Sequence, residues 1–420
     1  MSTYVKRPYY LQKLIVRRNN GQVKVITGPR RSGKSFLLET IYRDYLVLNG
    51  VPETNIIIIS FDVEDLNTSS ELFDREILKQ YLYGKIVSET EEYYVFLDEI
   101  QEVDGFERIV NGLNKRSNVD VYITGSNSKF LSSDINTVFR GRGDEVEIMP
   151  FSFKEFCQDR MEPLNELWKE YYTYGGLPAL REMKTTEQKV TYLRRLWNKT
   201  YLSDVVERHH IKNREALESI VDVLCSAVGS LTNTSRITNI LKSVRHIDIE
   251  DDTVLAYIGY LQEAFLFSEA KRYNIKGHRY YENIKKYYAV DMGLRNSRLN
   301  FRQLEVNHIM ENVIYNELVG RGYLVDVGII EHRKMENGVA KYVQYEVDFI
   351  ATDGMEKYYI QSALELPSDE KRVQELNSLK RIDDSFQKIV IVGSDIMSYM
   401  DDDGIRYMGL FQFLKNEKII

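Results

Sequence analysis

The sequence is poor in cysteine and proline and contains no long hydrophobic run. Its two cysteines, Cys157 and Cys225, lie far apart in apolar segments, which excludes a disulfide framework and favours buried thiols in a reducing compartment. The longest apolar run, residues 56–59, has the length of a strand and is far too short to cross a bilayer. The amino-terminal stretch MSTYVKRPYYLQKL has no signal-peptide core. We therefore expect a cytoplasmic protein with no membrane segment.

The chain also lacks glycine- and serine-rich linkers, internal repeats and low-complexity tracts. Its 420 residues suffice for two or three domains with their own cores, and the missing linkers predict that these domains abut. A hydrophobic content of 43% and a charged content of 28% are ordinary for globular proteins. The net charge of −7 argues against a protein that coats nucleic acid, although basic patches can exist within it.

A glycine-rich stretch stands near the amino terminus, in VKVITGPRRSGKSFLLETIYRDYL. An apolar strand pattern, the loop GPRRSGKS and an amphipathic helix pattern follow one another, which is the context that a Walker A phosphate loop requires. Lys34 is expected to reach the β and γ phosphates of ATP, and the Ser35 hydroxyl to ligate Mg²⁺. A chance match in a glycine turn is the alternative. The predicted nucleotide-binding residues are Gly28, Pro29, Arg30, Arg31, Ser32, Gly33, Lys34, Ser35 and Phe36.

Two acidic residues of the Walker B type end the apolar run EYYVFLDEIQ. Asp98 suits a contact with Mg²⁺, and Glu99 suits the general base that orients the attacking water. Two acids that cap the next helix are the alternative. A further strand pattern, NVDVYITGSNSKFL, ends in Thr124, Ser126 and Asn127. Asn127 is a candidate for contacting the γ-phosphate or the water, although serine and asparagine are also ordinary turn residues.

Two arginines flanked by glycine, Arg140 and Arg142, follow in NTVFRGRGDEVEIM. An arginine that stabilises transition-state charge can raise turnover by about three to five orders of magnitude. A solvated surface pair is the competing interpretation. If either arginine acts on a neighbouring copy, the protein must at least dimerise around nucleotide.

The segments GPRRSGKS, FLDEIQ, ITGSNSKFLSS, FRGRGDEVEIMPFSFKEF and YGGLPAL together resemble bacterial and archaeal AAA-type ATPases with a nuclease-like carboxyl-terminal region. The resemblance spans essentially the whole chain. It implies an α/β protein that binds and hydrolyses ATP. The implied parts are an AAA-like P-loop domain with a parallel sheet over 1–155, a helical and winged-helix domain over 156–300, and a restriction-endonuclease-like α/β domain over 301–420.

The middle region shows two helix patterns followed by two strand patterns, which is the order of a winged helix. Ser235 is predicted to cap the first helix, and Asp251 or Asp252 the second. The hairpin region 271–288 carries six lysines and arginines against one glutamate, interleaved with tyrosines, and is a candidate contact for DNA. The second helix, however, is acidic and has no lysine or arginine, which favours a packing role.

The last third alternates helix and strand patterns, and the nuclease resemblance places a metal site there. The matching positions are Glu311, Asp348 and Gln361, with Ala363 where a lysine belongs. Glutamine lacks the charge that a hard cation prefers, and alanine lacks the ammonium. Rescue by Glu365, Lys357 or Lys371 would need a coincidence. We therefore expect a degenerate nuclease site that binds rather than cuts.

These observations predict an ATPase with ATP and Mg²⁺ as cofactors, whose nucleotide state controls a DNA- or partner-binding carboxyl-terminal region. One alternative is an active ATP-regulated DNA nuclease. Another is an ATP-bound switch or scaffold with negligible turnover. A homo-oligomer or a protein partner is compatible with each of them.

Overall fold

The computed structural model describes residues 4–61, 69–125, 139, 141–336, 339–365 and 376–419. Its contacts divide the chain into two compact units, unit 1 over 1–150 and unit 2 over 151–420. Each unit has its own sheet. The division into three domains at 155 and 300 stays a prediction.

Unit 1 contains a parallel sheet in the strand order β2-β3-β4-β1-β5. The strands are β1 Val23–Thr27, β2 Ile56–Ser60, β3 Tyr93–Asp98, β4 Val119–Thr124 and β5 Gly143–Glu147. Every residue of β1, β3 and β4 is buried, because a parallel sheet is covered on both faces. The carboxyl ends of these three strands lie at the same edge of the sheet, where ligands of open α/β sheets bind.

Helices cover both faces of the unit 1 sheet. They are α1 Pro8–Arg17, α2 Lys34–Phe36, α3 Arg43–Leu48, α4 Arg75–Lys85 and α5 Phe106–Leu113. A π-helical segment, Leu37–Tyr42, joins α2 to α3. Alternate residues of β3 enter different cores: Val95 packs in one with Leu78, and Phe96 packs in the other with Leu38.

Unit 2 begins with helices and continues into a mixed sheet. Its helices are α6 Phe153–Phe156, α7 Leu164–Tyr174, α8 Pro178–Arg181, α9 Thr186–Leu196, α10 Leu202–Arg208, α11 Arg214–Ser226, α12 Thr234–Val244, α13 Asp251–Glu263, α14 Met292–Arg298, α15 Val306–Gly320, α16 Asn377–Lys380 and α17 Leu410–Lys415. A π-helical segment, Trp197–Tyr201, joins α9 to α10. Helices α12 and α13 are followed directly by the first hairpin of the sheet.

The unit 2 sheet runs in the order β13-β14-β12-β11-β10-β9-β7-β8-β6. Its strands are β6 Leu231–Thr232, β7 Phe267–Asn274, β8 Arg279–Ala289, β9 Leu324–Glu336, β10 Val339–Asp353, β11 Glu356–Ala363, β12 Gln387–Val392, β13 Tyr399–Met400 and β14 Ile405–Gly409. The hairpin β7–β8 is antiparallel, and β7 pairs in parallel with β9. The sheet is therefore continuous from the hairpin into the carboxyl-terminal strands.

Helices α7 and α14 of unit 2 are in close contact at a site that we call the joint, which is formed by Gly175, Gly176, Gly293 and Asp291. A Cβ atom on Gly293 would lie 1.8 Å from the carbonyl oxygen of Tyr174, so no larger residue fits there. The buried Asp291 carboxylate accepts hydrogen bonds from the main-chain N–H of Gly176 at 2.7 Å and of Leu294 at 3.0 Å. A Cβ atom on Gly175 would lie 2.2 Å from Asp291 Oδ1, and one on Gly176 would lie 2.3 Å from the Phe151 carbonyl oxygen, which explains why the segment YGGLP contains two glycines.

Candidate functional site

The loop over 28–33 joins the carboxyl end of β1 to the start of α2. Gly28 has φ 132°, and a Cβ atom there would lie 2.2 Å from the carbonyl oxygen of Ile148. Gly33 precedes the helix with φ 90°. Both positions require glycine, since side chains rarely adopt such angles. The residues predicted to bind nucleotide thus form one continuous loop and helix start at the carboxyl edge of the sheet.

Lys34 folds back over this loop. Its side chain is only 5% exposed, and its Nζ donates to the carbonyl oxygens of Gly28 at 3.0 Å and Pro29 at 2.9 Å. Burial lowers the pKa of Lys34 to about 8, against the opposing effect of the carboxylates of Glu99 and Asp98. An ammonium held over a loop of main-chain N–H groups suits the β and γ phosphates of a nucleotide.

The side chain of Ser32 is a further buried polar group of the loop. The hydroxyl of Ser32 has no hydrogen-bond partner in the part of the chain that the structure describes, and the residue is fully buried. An unsatisfied buried hydroxyl is costly and calls for an explanation, such as a ligand. This observation fits a phosphate-binding loop.

Ser35 and Asp98 meet although 63 residues separate them in the chain. The Ser35 hydroxyl lies 2.9 Å from each carboxylate oxygen of Asp98, and the Thr124 hydroxyl donates to Asp98 Oδ1 at 2.5 Å. Burial and the neighbouring Glu99 carboxylate raise the pKa of Asp98 above its usual value. A carboxylate with adjacent hydroxyls is an oxygen donor set that suits Mg²⁺.

Glu99 follows β3 in the left-handed region, with φ 52°. Its main-chain N–H donates to the Thr124 hydroxyl at 3.0 Å, and its carboxylate accepts a short hydrogen bond from the side-chain amide of Gln101. Gln101 is buried and was missed by sequence reasoning, because a glutamine after two acids carries no distinctive signal. The pair orients the carboxylate predicted to act as the general base.

Sequence reasoning also missed Arg7, whose side chain holds the main chain of the loop by hydrogen bonds. This buried side chain donates to the carbonyl oxygens of Ser32 at 2.9 Å and Met149 at 2.7 Å. Its guanidinium lies over the ring of Tyr10, 4.4 Å from the centroid. Both of these hydrogen bonds go to main-chain carbonyl groups, and the sequence context KRPYY resembles an ordinary helix start.

The sequence predicts three further residues of unit 1 for this site: Asn127, Arg140 and Arg142. Asn127 and Arg140 lie outside the described residues. Arg142 is exposed at the amino end of β5, and its carbonyl oxygen accepts a hydrogen bond from Val23 N–H at 2.8 Å. That end of the sheet is separated from the phosphate loop by the length of β1, about 13 Å.

In unit 2, the predicted acids Glu311 and Asp348 come together in a buried cluster, and Lys286 lies between them. Its Nζ is 2.8 Å from Glu311 Oε1, 2.8 Å from Glu346 Oε1 and 4.0 Å from Asp348 Oδ1. We call these four residues the β8 lysine cluster. Against the effect of burial, the three carboxylates raise the pKa of Lys286, whereas burial and the Glu311 carboxylate raise the pKa of Asp348.

Sequence reasoning missed Lys286 because it lies on β8, far from the matched nuclease positions. Gln361 does reach Asp348, since its Oε1 accepts from Asp348 N–H at 3.4 Å. Ala363 is buried in an apolar cluster. Of the proposed substitutes, Glu365 is exposed, Lys357 lies over the Phe386 ring, and Lys371 is outside the described residues.

Most basic residues of the hairpin region 271–288 have partners within unit 2. Lys276 pairs with Asp383 at 2.9 Å, Lys285 with Glu269 at 2.7 Å, and Arg279 with Glu331 at 3.8 Å. The buried Arg272 donates to Gln344 at 3.1 Å. Lys271 is exposed. The charge of this region is therefore largely balanced by carboxylates of unit 2.

Comparison with known proteins identifies the type of the first domain. Residues 20–157 match an AAA domain, and residues 165–305 match a domain of unknown function, DUF8612. An uncharacterised protein of Haemophilus influenzae is 35% identical over 417 residues, which cover 98% of this chain and 98% of that protein. The chain belongs to the same family. The predicted AAA-type character of the first domain is thereby confirmed.

A second relative is less similar. An uncharacterised protein of Methanocaldococcus jannaschii is 29% identical over 394 residues, covering 91% of this chain and 83% of that protein. Among solved structures, AMPPCP-bound DnaA from Aquifex aeolicus shows 16% identity and a TM-score of 0.28, over 63% of this chain and 89% of that chain. The Aeropyrum pernix ORC1 protein in complex with DNA shows 13% identity and a TM-score of 0.27, over 71% and 94%. At these scores the structural likeness carries no argument about function.

Within the described residues, no helix has both the length and the apolar character needed to span a bilayer. No group of three or more histidine, cysteine or acidic side chains in the described ranges is arranged to hold a metal ion.

Proposed function

We propose that the family member described above binds ATP with Mg²⁺ at residues 28–36 and Asp98, and hydrolyses it with Glu99 as the general base. The observation that carries this proposal is the convergence of Lys34, Ser35 and Asp98 at one edge of the unit 1 sheet. An AAA domain match over 20–157 supports it.

Each of these side chains has a distinct chemical task in the proposal. The Lys34 ammonium exchanges the loop carbonyls for phosphate oxygens, and the Glu99 carboxylate accepts a proton from the attacking water. Ser35 and Asp98 would hold Mg²⁺, which neutralises developing charge on the phosphates. Gln101 keeps the Glu99 carboxylate oriented before the substrate arrives.

Two variants of the same site test the proposal by separating binding from hydrolysis. Lys34→Ala should abolish binding of a fluorescent ATP analogue in the presence of Mg²⁺. Glu99→Gln should retain binding and lower steady-state phosphate release by about 10²- to 10⁴-fold, the usual contribution of a general base. If the Glu99→Gln variant hydrolysed ATP as fast as the wild type, Glu99 would not be the general base. Binding by the wild type without phosphate release would instead favour the switch or scaffold.

The role of Arg142 belongs to the same proposal. Since Arg142 is at the far end of β1 from the loop, a contact with the phosphates requires a second copy of the chain. In that case the ATPase rate per protomer rises with protein concentration and falls in Arg142→Ala. A rate that is independent of both identifies Arg142 as a surface group.

For unit 2 we propose a winged-helix arrangement, made of α12, α13 and the hairpin β7–β8, that serves packing and protein contacts. The acidic start of α13 and the paired cations of 271–288 support this proposal over a DNA contact. Anisotropy of a labelled DNA duplex, with and without ATP, tests it. Saturable binding that is lost in Lys271→Glu would instead favour DNA as the ligand.

A further inference from the structure

The β8 lysine cluster has the composition of a cation site with its cation supplied by the protein. We propose that the Lys286 ammonium occupies the cation position among Glu311, Glu346 and Asp348, so that unit 2 closes its nuclease-like centre with its own side chain. The proposal does not depend on ATP binding by unit 1.

The position of the ammonium is the first support. Lys286 is 3% exposed and contacts Glu311 and Glu346 at 2.8 Å each, with Asp348 at 4.0 Å. Buried charges are stable only when they are paired, and three carboxylates around one ammonium provide that pairing. A divalent cation bound to Glu311 and Asp348 would have to share this space with a positive charge.

The second support is that the predicted metal ligands accept hydrogen bonds from other groups of the protein. The buried Tyr288 hydroxyl donates to Glu311 Oε1 at 2.8 Å, the same oxygen that Lys286 contacts. The Ser362 N–H donates to Asp348 Oδ2 at 2.8 Å. Gln361, the third predicted ligand, turns its Oε1 toward Asp348 N–H. One carboxylate oxygen of Glu311, one of Asp348 and the amide oxygen of Gln361 are thus engaged by donors of the protein.

The third support is that Glu311 and Asp348 are enclosed by the surrounding protein. A Cβ atom on Gly229 would lie 3.3 Å from the Glu311 carboxylate, so the main chain before β6 covers that acid closely. Asp348 and Glu311 are both buried. Metal-assisted hydrolysis requires an open coordination position for water and substrate. The residues present therefore do not fit a hydrolytic metal centre.

The consequence is a structural role for residues that the nuclease resemblance marks as catalytic. The cluster connects β8 with α15 and β10, and Asp348 lies where the register of β10 against β9 shifts, between Val347 and Ile350. We therefore expect these carboxylates to bind the Lys286 ammonium and not Mg²⁺.

Binding of Mn²⁺ to the full chain tests the inference, with electron paramagnetic resonance as the measurement. All variants carry Ser35→Ala, so that the phosphate loop contributes no metal site. With Lys286 present, we expect no Mn²⁺ binding that depends on Glu311. Lys286→Met should gain one Mn²⁺ at least about tenfold more tightly, because three unneutralised carboxylates attract a hard cation. Adding Glu311→Gln should abolish the gain.

Lys285→Met is the matched control. It removes a neighbouring ammonium that pairs with Glu269 instead, and it should gain no metal. Mn²⁺ binding that requires Glu311 while Lys286 is intact would overturn the proposal. So would a folded Lys286→Met protein that binds no Mn²⁺.

Lys286→Met leaves buried carboxylates without their partner and can fail to fold. The same proposal then predicts that refolding in Mn²⁺ restores the circular dichroism of the native protein, whereas Mn²⁺ leaves the wild type unchanged. Failure of Mn²⁺ to restore folding counts against the proposal.

Incubation of the wild type with supercoiled DNA and Mn²⁺ provides an independent check. We expect no cleavage, and cleavage that is lost in Asp348→Ala would overturn the proposal in favour of a nuclease.

Discussion

Raising the pH from 7 to 9 should weaken ATP binding about tenfold, because it removes the proton from Lys34. The pKa of this buried lysine is about 8 in the protein without nucleotide. Its ammonium fraction then falls from about nine in ten at pH 7 to about one in ten at pH 9. Phosphate oxygens favour the charged form. Binding therefore loses about 1.4 kcal/mol for each pH unit above the pKa of the free protein.

The assay is a titration of a fluorescent ATP analogue with constant Mg²⁺ at several pH values. The phosphates lose their last proton near pH 6, at about the second pKa of a phosphoryl group, so the nucleotide charge is constant over this range. Lys34→Met is the control: its residual affinity at millimolar nucleotide should be weak and independent of pH. An affinity of the wild type that is constant up to pH 9 would refute the assignment of Lys34 as the group that contacts the phosphates.

Two further predictions concern residues that act through the main chain. Arg7→Met should weaken ATP binding while leaving the loop sequence intact, since it removes the buried donors to Ser32 and Met149; an unchanged affinity would show that the loop does not need this support. Asp291→Ala should lower the free energy of unfolding by about 2–4 kcal/mol, because two buried N–H groups lose their acceptor, and Asp291→Asn by less. Urea unfolding followed by tryptophan fluorescence reports this change, since both tryptophans lie in unit 2. A change below about 0.5 kcal/mol in the alanine variant would contradict the role of the joint.

The arrangement of unit 1 was largely predictable because its signals are local. GPRRSGKS follows an apolar run, and FLDEIQ ends another, so the pattern places both at the carboxyl ends of parallel strands. Strands of one parallel sheet end at the same edge, which is why Ser35 and Asp98 could be expected to meet. The assignment of tasks to these residues stays a prediction until the variants are measured.

The details that could not be predicted depend on contacts between distant segments. Lys286 reaches Glu346 and Asp348 only because β7 and β8 join the same sheet as β10, and the strand order of such a sheet leaves no local signal. The predicted cap of α12 was wrong for a different reason. In the segment NTS, both Asn233 and Ser235 can cap a helix. The structure uses Asn233, which accepts from Arg236 N–H at 2.7 Å, while Ser235 donates to Asp251.

The continuity of the unit 2 sheet limits how the chain can be shortened for experiments. Ending a fragment near residue 300 would strip β9 from β7 and expose a row of unpaired main-chain groups, which is a template for aggregation. It would also remove Glu311, Glu346 and Asp348, and so leave the buried Lys286 ammonium without its three carboxylates. Recombinant fragments that are divided at residue 150 keep both sheets whole and should be the more soluble choice.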